Sequence, residues 1–225
     1  MKLSIIMPVY NEQATITDVI KKIEDLKLDI DKELIIVDDG STDGTRELLK
    51  QVKGHKVIFH DKNKGMGAAV RTGLQHATGD IAIKQDADLE YDPESFHSLI
   101  DHMQKHDLHA VYGSRFLGSN HKEIPLHYYG NKLLTLFTNL LYGSNLTDME
   151  TCYKLIKLDV LMSLNLKAEK FDLEPEITSK LLKKGYKIEE VPINYSARKF
   201  EEGKKITWKD GMKAVFYLLK YRFSD

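Results

Sequence analysis

The sequence predicts a single α/β domain: a mostly parallel sheet flanked by helices on both faces, with an amphipathic C-terminal extension. Three observations carry this. Apolar runs of strand length alternate with stretches of helical periodicity through the first half of the chain. The connections between them are short, and such alternation builds parallel sheets covered by helices. At 225 residues and 42% hydrophobic, the chain has material for one real core, and no Gly/Ser- or Pro-rich linker divides it.

The elements follow in order. "LSIIMPV" opens as a strand, and "EQATITDVIKKIEDL" repeats Ile16, Val19, Ile20 and Ile23 at helical spacing. "ELIIVDD" and "TDGTRELLKQV" form the next strand and helix, followed by "KVIFH" and "GAAVRTGLQHA". "DIAIKQD" leads to "DPESFHSLIDHMQKH", where Asp92 and Pro93 read as helix cap and first turn, and then to "HAVYGSR". From about Ile124 the pattern changes to the Tyr/Leu-rich "PLHYYGNKLLTLFTNLLYGSNLTD". "METCYKLIKLDVLMSL", a helix in "PEITSKLLKKG" and a last strand in "YKIEEVPINY" complete the order. The tail from Ala197 is basic and amphipathic, with Trp208, Met212, Val215, Leu219 and Phe223 on roughly one helical face. Periodicity suits equally a helix packed on the domain and one lying on an anionic membrane surface.

Composition bounds the partners. A net charge of -1 supplies no overall field toward nucleic acid. The single Cys152 excludes an internal disulfide framework and fits a reducing, cytoplasmic compartment. "MKLSIIMPVYNE" is too short an apolar run for a signal peptide. The longest apolar run, Ala214 to Leu219, falls far below the roughly 20 residues a span needs. The expectation is a soluble chain, or one associated with a membrane without crossing it.

In sheets of this kind ligands bind beyond the carboxyl ends of the strands. There the sequence places "PVYNE", "DDGSTDGT", "QDADLE" and "GSR", all polar or turn-forming. Turn chemistry explains Gly40 to Asp43 but not the adjacent carboxylates of Asp38 and Asp39. Asp86 and Asp88 stand two apart on an extended backbone, so both can converge on one point. Two carboxylates without a Cys or His cluster suit a hard cation, Mg2+ or Mn2+, which shares its coordination with substrate phosphates. Gln85 and Glu90 flank them as water-mediated helpers.

"NKGMGAAVRTG" carries Gly65 and Gly67, but Val70 occupies the third position of a dinucleotide fingerprint and no GK[ST] is present. These glycines permit close approach of a helix start either to a ligand or to the sheet, and Arg71 is as well a surface residue as a functional one. Arg115 ends a strand at the site edge, where a guanidinium suits bidentate phosphate contact. Arg198, Lys204 and Lys205 surround Gly203, and from Arg198 to Arg222 eight basic residues face three acidic ones.

Taken together, "PVYNE", "DDGSTDGT", "NKGMGAAVRTG", "QDADLEYDP", "GSRFLG", "LTDMETCYK" and "EGKKI", in that order, closely resemble the inverting family 2 glycosyltransferases. Within that family the resemblance is strongest to the polyprenyl-phosphate branch, which includes dolichol-phosphate mannosyltransferases and bactoprenol glucosyltransferases. The resemblance implies a GT-A fold, Rossmann-like, over residues 1–206, with a nucleotide-binding half at about 1–115, an acceptor half at about 116–206, and a basic amphipathic helix at 207–225. It implies nucleotide binding at Pro8, Tyr10, Glu12, Asp38, Asp39, Asp86 and Lys204, and a Mg2+ or Mn2+ ion at Asp86 and Asp88. It places Arg115 near the acceptor phosphate, Arg198 and Lys205 in a basic loop over the phosphates, and Asp148 and Glu150 beside the acceptor. With Asp88, the expected catalytic set is Asp148, Arg115, Arg198 and Lys205.

The partners implied are a nucleoside-diphosphate sugar, a polyprenyl-phosphate acceptor, the cytoplasmic face of a membrane bound peripherally, and a separate membrane-anchoring protein. The processive-synthase motif QxxRW is absent. A phosphate acceptor is largely ionised near neutrality, its second pKa being about 6, and needs no strong base. A saccharide hydroxyl would need a carboxylate such as Asp148. Two other classes compete. "IIVDDGST" hints at a haloacid-type hydrolase but lacks that family's Asp-x-Asp order, and a non-catalytic sugar-nucleotide-binding protein would have no use for an intact Asp-Ala-Asp.

Overall fold

The computed structural model describes residues 1–118, 125–170, 172–197 and 208–224, with side chains left undescribed at 125–127 and 208–210. Seven strands form one sheet: β1 (Lys2–Val9), β2 (Asp31–Asp38), β3 (Lys56–Phe59), β4 (Ile81–Lys84), β5 (Ala110–Ser114), β6 (Lys154–Lys157) and β7 (Ile188–Pro192). Their order is β3-β2-β1-β4-β6-β5-β7. β1 pairs in parallel with β2 and β4, β2 with β3, and β5 with β7, while β6 runs antiparallel to β4 and β5. The sheet is thus mostly parallel, and its winding reverses between β1 and β4, where such sheets open a ligand crevice.

Alternation along the strands splits the core in two. Leu3, Ile5, Met7 and Val9 of β1 face α1 (Ile16–Asp25) and α4 (Ser95–Lys105), while Ile6, Ile35 and Val37 belong to the opposite layer with α3 (Met66–Leu74) and α7 (Leu173–Lys183). α1 buries the Ile16, Val19, Ile20 and Ile23 face expected from its spacing. The short helices α2 (Thr45–Leu49) and α6 (Leu158–Ser163) close the connections after β2 and β6.

The Tyr/Leu-rich stretch is α5 (Pro125–Tyr142), and the tail forms α8 (Trp208–Phe223). α8 packs on the domain through Ala214, Leu218 and Tyr221, and Tyr142 donates its hydroxyl to the Leu218 carbonyl at 2.7 Å. Of the expected apolar face, Met212, Leu219 and Phe223 look outward and Val215 is half-buried, while Phe216 joins the outward side.

Two glycines resolve an open choice. A Cβ on Gly65 (φ +98°) would lie 2.2 Å from the Glu169 carbonyl oxygen, and one on Gly67 would lie 2.6 Å from that of Ala168. Ala68 N–H donates to Glu169 O at 3.1 Å. The glycines admit the 168–169 backbone against the start of α3. Arg71 reaches the same loop, at Leu166 O (3.4 Å).

Candidate active site

The loops after β1 and β2 are bolted together. Asn11, at φ 54°, takes Thr42 N–H on its Oδ1 at 2.8 Å, and its own N–H donates to Ser41 Oγ at 3.0 Å. Glu12 N–H donates to Thr45 Oγ1 (2.9 Å) and Gln13 N–H to Asp43 Oδ2 (3.1 Å). Pro8 and Glu12 are partly exposed, and the Tyr10 ring faces solvent at the crevice mouth. Asn11 was missed by the sequence reading, although Asn is the residue that tolerates a left-handed backbone at a turn.

Asp38 and Asp39 are buried and engaged by the protein. Asp38 accepts Ser41 N–H (3.2 Å) and Arg46 Nε–H (2.8 Å), and Arg46 also bonds the His60 carbonyl. Asp39 accepts Lys64 N–H (2.9 Å) and Gly65 N–H (2.8 Å) and lies 2.7 Å from His60 Nδ1, whose Nε2 meets Thr72 Oγ1 at 3.0 Å. An ionised carboxylate only accepts, so His60 donates from Nδ1. The two aspartates thus shape the crevice wall and fix the 60–65 loop. No pattern in the sequence announced His60, which lies 21 residues from its partner.

Asp86 and Asp88 follow β4 at the crevice, both partly exposed. Asp88 Oδ1 accepts Glu90 N–H at 3.1 Å. Between them Leu89 adopts φ 62°, a left-handed backbone that costs a non-glycine residue about 1 kcal/mol; strain of this kind concentrates at functional sites. Lys84 Nζ lies 3.4 Å from Asp86 Oδ1 and 2.7 Å from Glu174 Oε1, and Glu174 also pairs with Lys154. Burial disfavours the charged Lys84, but Asp86 and Glu174 outweigh it and hold the ammonium well above its ordinary range. Gln85, expected as a water-mediated helper, is fully buried: it accepts Tyr153 Oη–H (2.6 Å) and donates to Asp86 O (2.9 Å).

Among the described residues no group of three or more His, Cys, Asp or Glu could hold a metal alone. The donor set of Asp86 and Asp88 nevertheless fits Mg2+ or Mn2+, which commonly take one or two carboxylates and fill the rest of their shell with phosphate oxygens and water.

The Arg115 guanidinium is held by the protein itself. Its Nε and Nη2 donate to Asp148 Oδ2 and Oδ1, both at 2.7 Å, its backbone N–H adds a third bond at 3.0 Å, and the guanidinium lies over the Tyr195 and Phe116 rings. Asp148 is wholly buried and gives both oxygens to Arg115 as its counter-ion. Thr147 and Asp148 N–H donate to Glu190, whose carboxyl burial pushes upward. Glu150 differs: its Oε1 is enclosed and has no hydrogen-bond partner, and its carboxyl rises to about 7, mainly through burial.

Arg198, Lys204 and Lys205 lie outside the described residues. The segment leading to them is held beside the aspartate loop, where Tyr195 Oη–H donates to Glu90 Oε2 (2.6 Å) and Ser196 N–H to Glu90 O (2.9 Å).

Comparison with known proteins gives three findings. The family model described as Glycosyl transferase family 2 matches residues 4–164, well over half of the chain. The low-salt glycan biosynthesis hexosyltransferase Agl6 of Haloferax volcanii is 28% identical over 228 residues, 96% of this chain and 53% of that protein. A dolichol-phosphate mannosyltransferase of Pyrococcus furiosus is 34% identical over 120 residues, 52% of this chain and 34% of that protein. The chain thus spans about half the length of the first relative and a third of the second. Among solved structures, glucosyl-3-phosphoglycerate synthase from Mycobacterium tuberculosis, in complex with Mn2+, uridine diphosphate and phosphoglyceric acid, superposes with a TM-score of 0.77 at 20% identity, over 100% of this chain and 79% of that one. The sheet, its helices and their order are shared.

Proposed function

Because the chain belongs to glycosyl transferase family 2, we propose that it moves a hexose from a nucleoside-diphosphate sugar to a polyprenyl phosphate at a membrane surface. The observation that carries this is the meeting of Asp86 and Asp88 with the β1 and β2 loops at the point where the sheet reverses.

The donor lies in that crevice. The Tyr10 ring offers the base an apolar face, and the walls are the loops that Pro8, Glu12, Asp38 and Asp39 shape. Asp86 and Asp88 hold a Mg2+ or Mn2+ ion, which when bound neutralises charge on the leaving diphosphate. Lys204, with Arg198 and Lys205, adds cationic charge to the same phosphates, where charge develops as the glycosidic bond breaks. Arg115, clamped by Asp148, acts on the acceptor side as a fixed positive field and a rigid wall. The Mycobacterium tuberculosis enzyme was solved with Mn2+ and uridine diphosphate, and the Pyrococcus furiosus relative is named for a lipid phosphate acceptor; both support the reading.

Membrane contact rests on α5 and α8. Tyr129, Leu133, Leu136 and Leu140 on α5 and Met212, Phe216, Leu219 and Phe223 on α8 are all exposed, at the same 4-3-4 spacing. The charges on the two helices are Lys132, Lys209, Asp210, Lys213, Lys220 and Arg222, five basic and one acidic. Two adjacent apolar stripes in a cationic surround suit the cytoplasmic face of an anionic bilayer. No described helix is long and apolar enough to cross a membrane, and a separate anchoring protein is the further partner we propose.

The test is transfer. The protein is incubated with UDP- and GDP-hexoses, Mn2+ and a short prenyl phosphate. A prenyl-phosphate hexose formed only with metal supports the reading, and product that forms equally well in chelator refutes the metal's role.

A further inference from the structure

β4 ends on a lysine set directly behind the aspartates that follow it. Side chains alternate along an extended backbone, so Lys84 leaves β4 on the side of Ala82, in the layer of α3 and α7, and Asp86 follows two residues on. The Lys84 ammonium lies 3.4 Å from Asp86 Oδ1, 2.7 Å from Glu174 Oε1 and 3.8 Å from Met66 Sδ. The Lys84 side chain is 10% exposed and that of Asp86 27%, so salt screens this pair less than a surface one.

Glu174 already has a second lysine. It stands in the first turn of α7, is buried, and pairs with the equally buried Lys154 of β6. Asp86, Lys84, Glu174 and Lys154 therefore form a row of alternating charge that runs from the crevice into the core. Lys154 balances Glu174 at the inner end, and Asp86 balances Lys84 at the outer one. The backbone between the two outer members is held as well: Gln85 Nε2–H donates to Asp86 O (2.9 Å) and Cys152 Sγ–H to Lys84 O (3.6 Å).

We propose that Lys84 is a positioning residue of the candidate metal seat: it aims Asp86 and holds down the seat's affinity for a bare divalent ion. The proposal rests on the donor-site reading above. An ion seated on the Asp86 carboxylate shares it with the ammonium, and two cations on one carboxylate repel, the more so away from bulk water. The seat alone thus holds the ion weakly, and the negative charge of a nucleoside diphosphate supplies the rest. Linkage is reciprocal, so the nucleotide tightens the ion by the same factor as the ion tightens the nucleotide. Lys84 leaves that factor in place and lowers the level from which it starts. The seat then fills together with the nucleotide and not before it.

The test reads Mn2+ itself. Titrations followed by the electron paramagnetic resonance signal of free Mn2+ compare the parent, K84M and K84Q, first without nucleotide and then with UDP or GDP. Both variants leave Glu174 paired with Lys154, circular dichroism checks their folding, and either one that folds decides. The neutral variants are expected to bind Mn2+ alone more tightly than the parent by about tenfold or more. The factor by which nucleotide tightens Mn2+ stays within about 3-fold of the parent's. A damaged fold weakens the seat, so a gain in affinity reports the missing charge. Adding D86N to K84M abolishes the gain. Neutral variants that bind Mn2+ alone no more tightly than the parent overturn the proposal, as does a gain that survives D86N. A parent that holds Mn2+ equally well with and without nucleotide overturns it without any variant. A parent that binds Mn2+ with neither nucleotide overturns the donor-site reading, and this proposal with it.

Discussion

Replacing Asp148 with Asn tests whether the Arg115–Asp148 pair is architecture or acceptor machinery. The aspartate is 0% exposed and the arginine 7%, and three hydrogen bonds of 2.7, 2.7 and 3.0 Å join them. Asparagine keeps the shape but removes the charge, so the guanidinium loses its bidentate carboxylate while the Tyr195 and Phe116 ring faces at 5.2 and 5.5 Å stay in place. Breaking a buried ion pair from one side costs about 3–5 kcal/mol. With a urea m-value of about 3 kcal/mol/M for a chain of this size, the unfolding midpoint falls by about 1–1.7 M. The assay is urea unfolding followed by circular dichroism, with the slope compared to show that the transition keeps its character. A midpoint within 0.3 M of the parent, together with a selective loss of transfer, would refute the structural role and return Asp148 to catalysis.

Two further outcomes follow from the same geometry. Glu150 titrates at about 7 in the fold against an ordinary 4.5, so the folded chain binds its proton more tightly and the parent loses stability as pH rises from about 4.5 to 7. At about 1.4 kcal/mol per unit, E150Q lacks a penalty of about 3–4 kcal/mol at pH 8, and its unfolding free energy relative to the parent rises by that amount between pH 4.5 and 8; a flat difference would be the contrary result. Changing Leu133 and Phe216, 67% and 63% exposed, to Ser leaves stability within about 0.5 kcal/mol but lowers sedimentation with phosphatidylserine vesicles several-fold, and unaltered sedimentation would remove the membrane from the account of α5 and α8.

Much of the fold could be read from short-range pattern. The strand and helix order through β5 follows from apolar runs and from spacings such as Ile16, Val19, Ile20 and Ile23, because each records which face of one element is buried. The location of the crevice was legible too, since polar residues after successive strands mark the carboxyl edge of a parallel sheet. What escaped depends on distant partners. Nothing local shows that β6 inserts antiparallel between β4 and β5, or that Asp148 closes on Arg115 33 residues away. Gly65 and Gly67 announce close approach but not that the 168–169 backbone is what approaches. The period of α8 was right, but Ala214, Leu218 and Tyr221 took the inward side. Glu150 looked no different from Asp148 in sequence, and what separates them is the Arg115 partner that only Asp148 has.

The central claim is that Asp86 and Asp88 seat a divalent ion for a donor diphosphate. Isothermal titration of UDP and GDP into the parent and D88N, each with Mn2+ and with chelator, tests it most directly. The expected result is binding of one nucleotide by the parent that weakens at least tenfold in chelator, and binding by D88N that is weak and indifferent to metal. Equal affinity in all four conditions, or metal-dependent binding that survives in D88N, would contradict it.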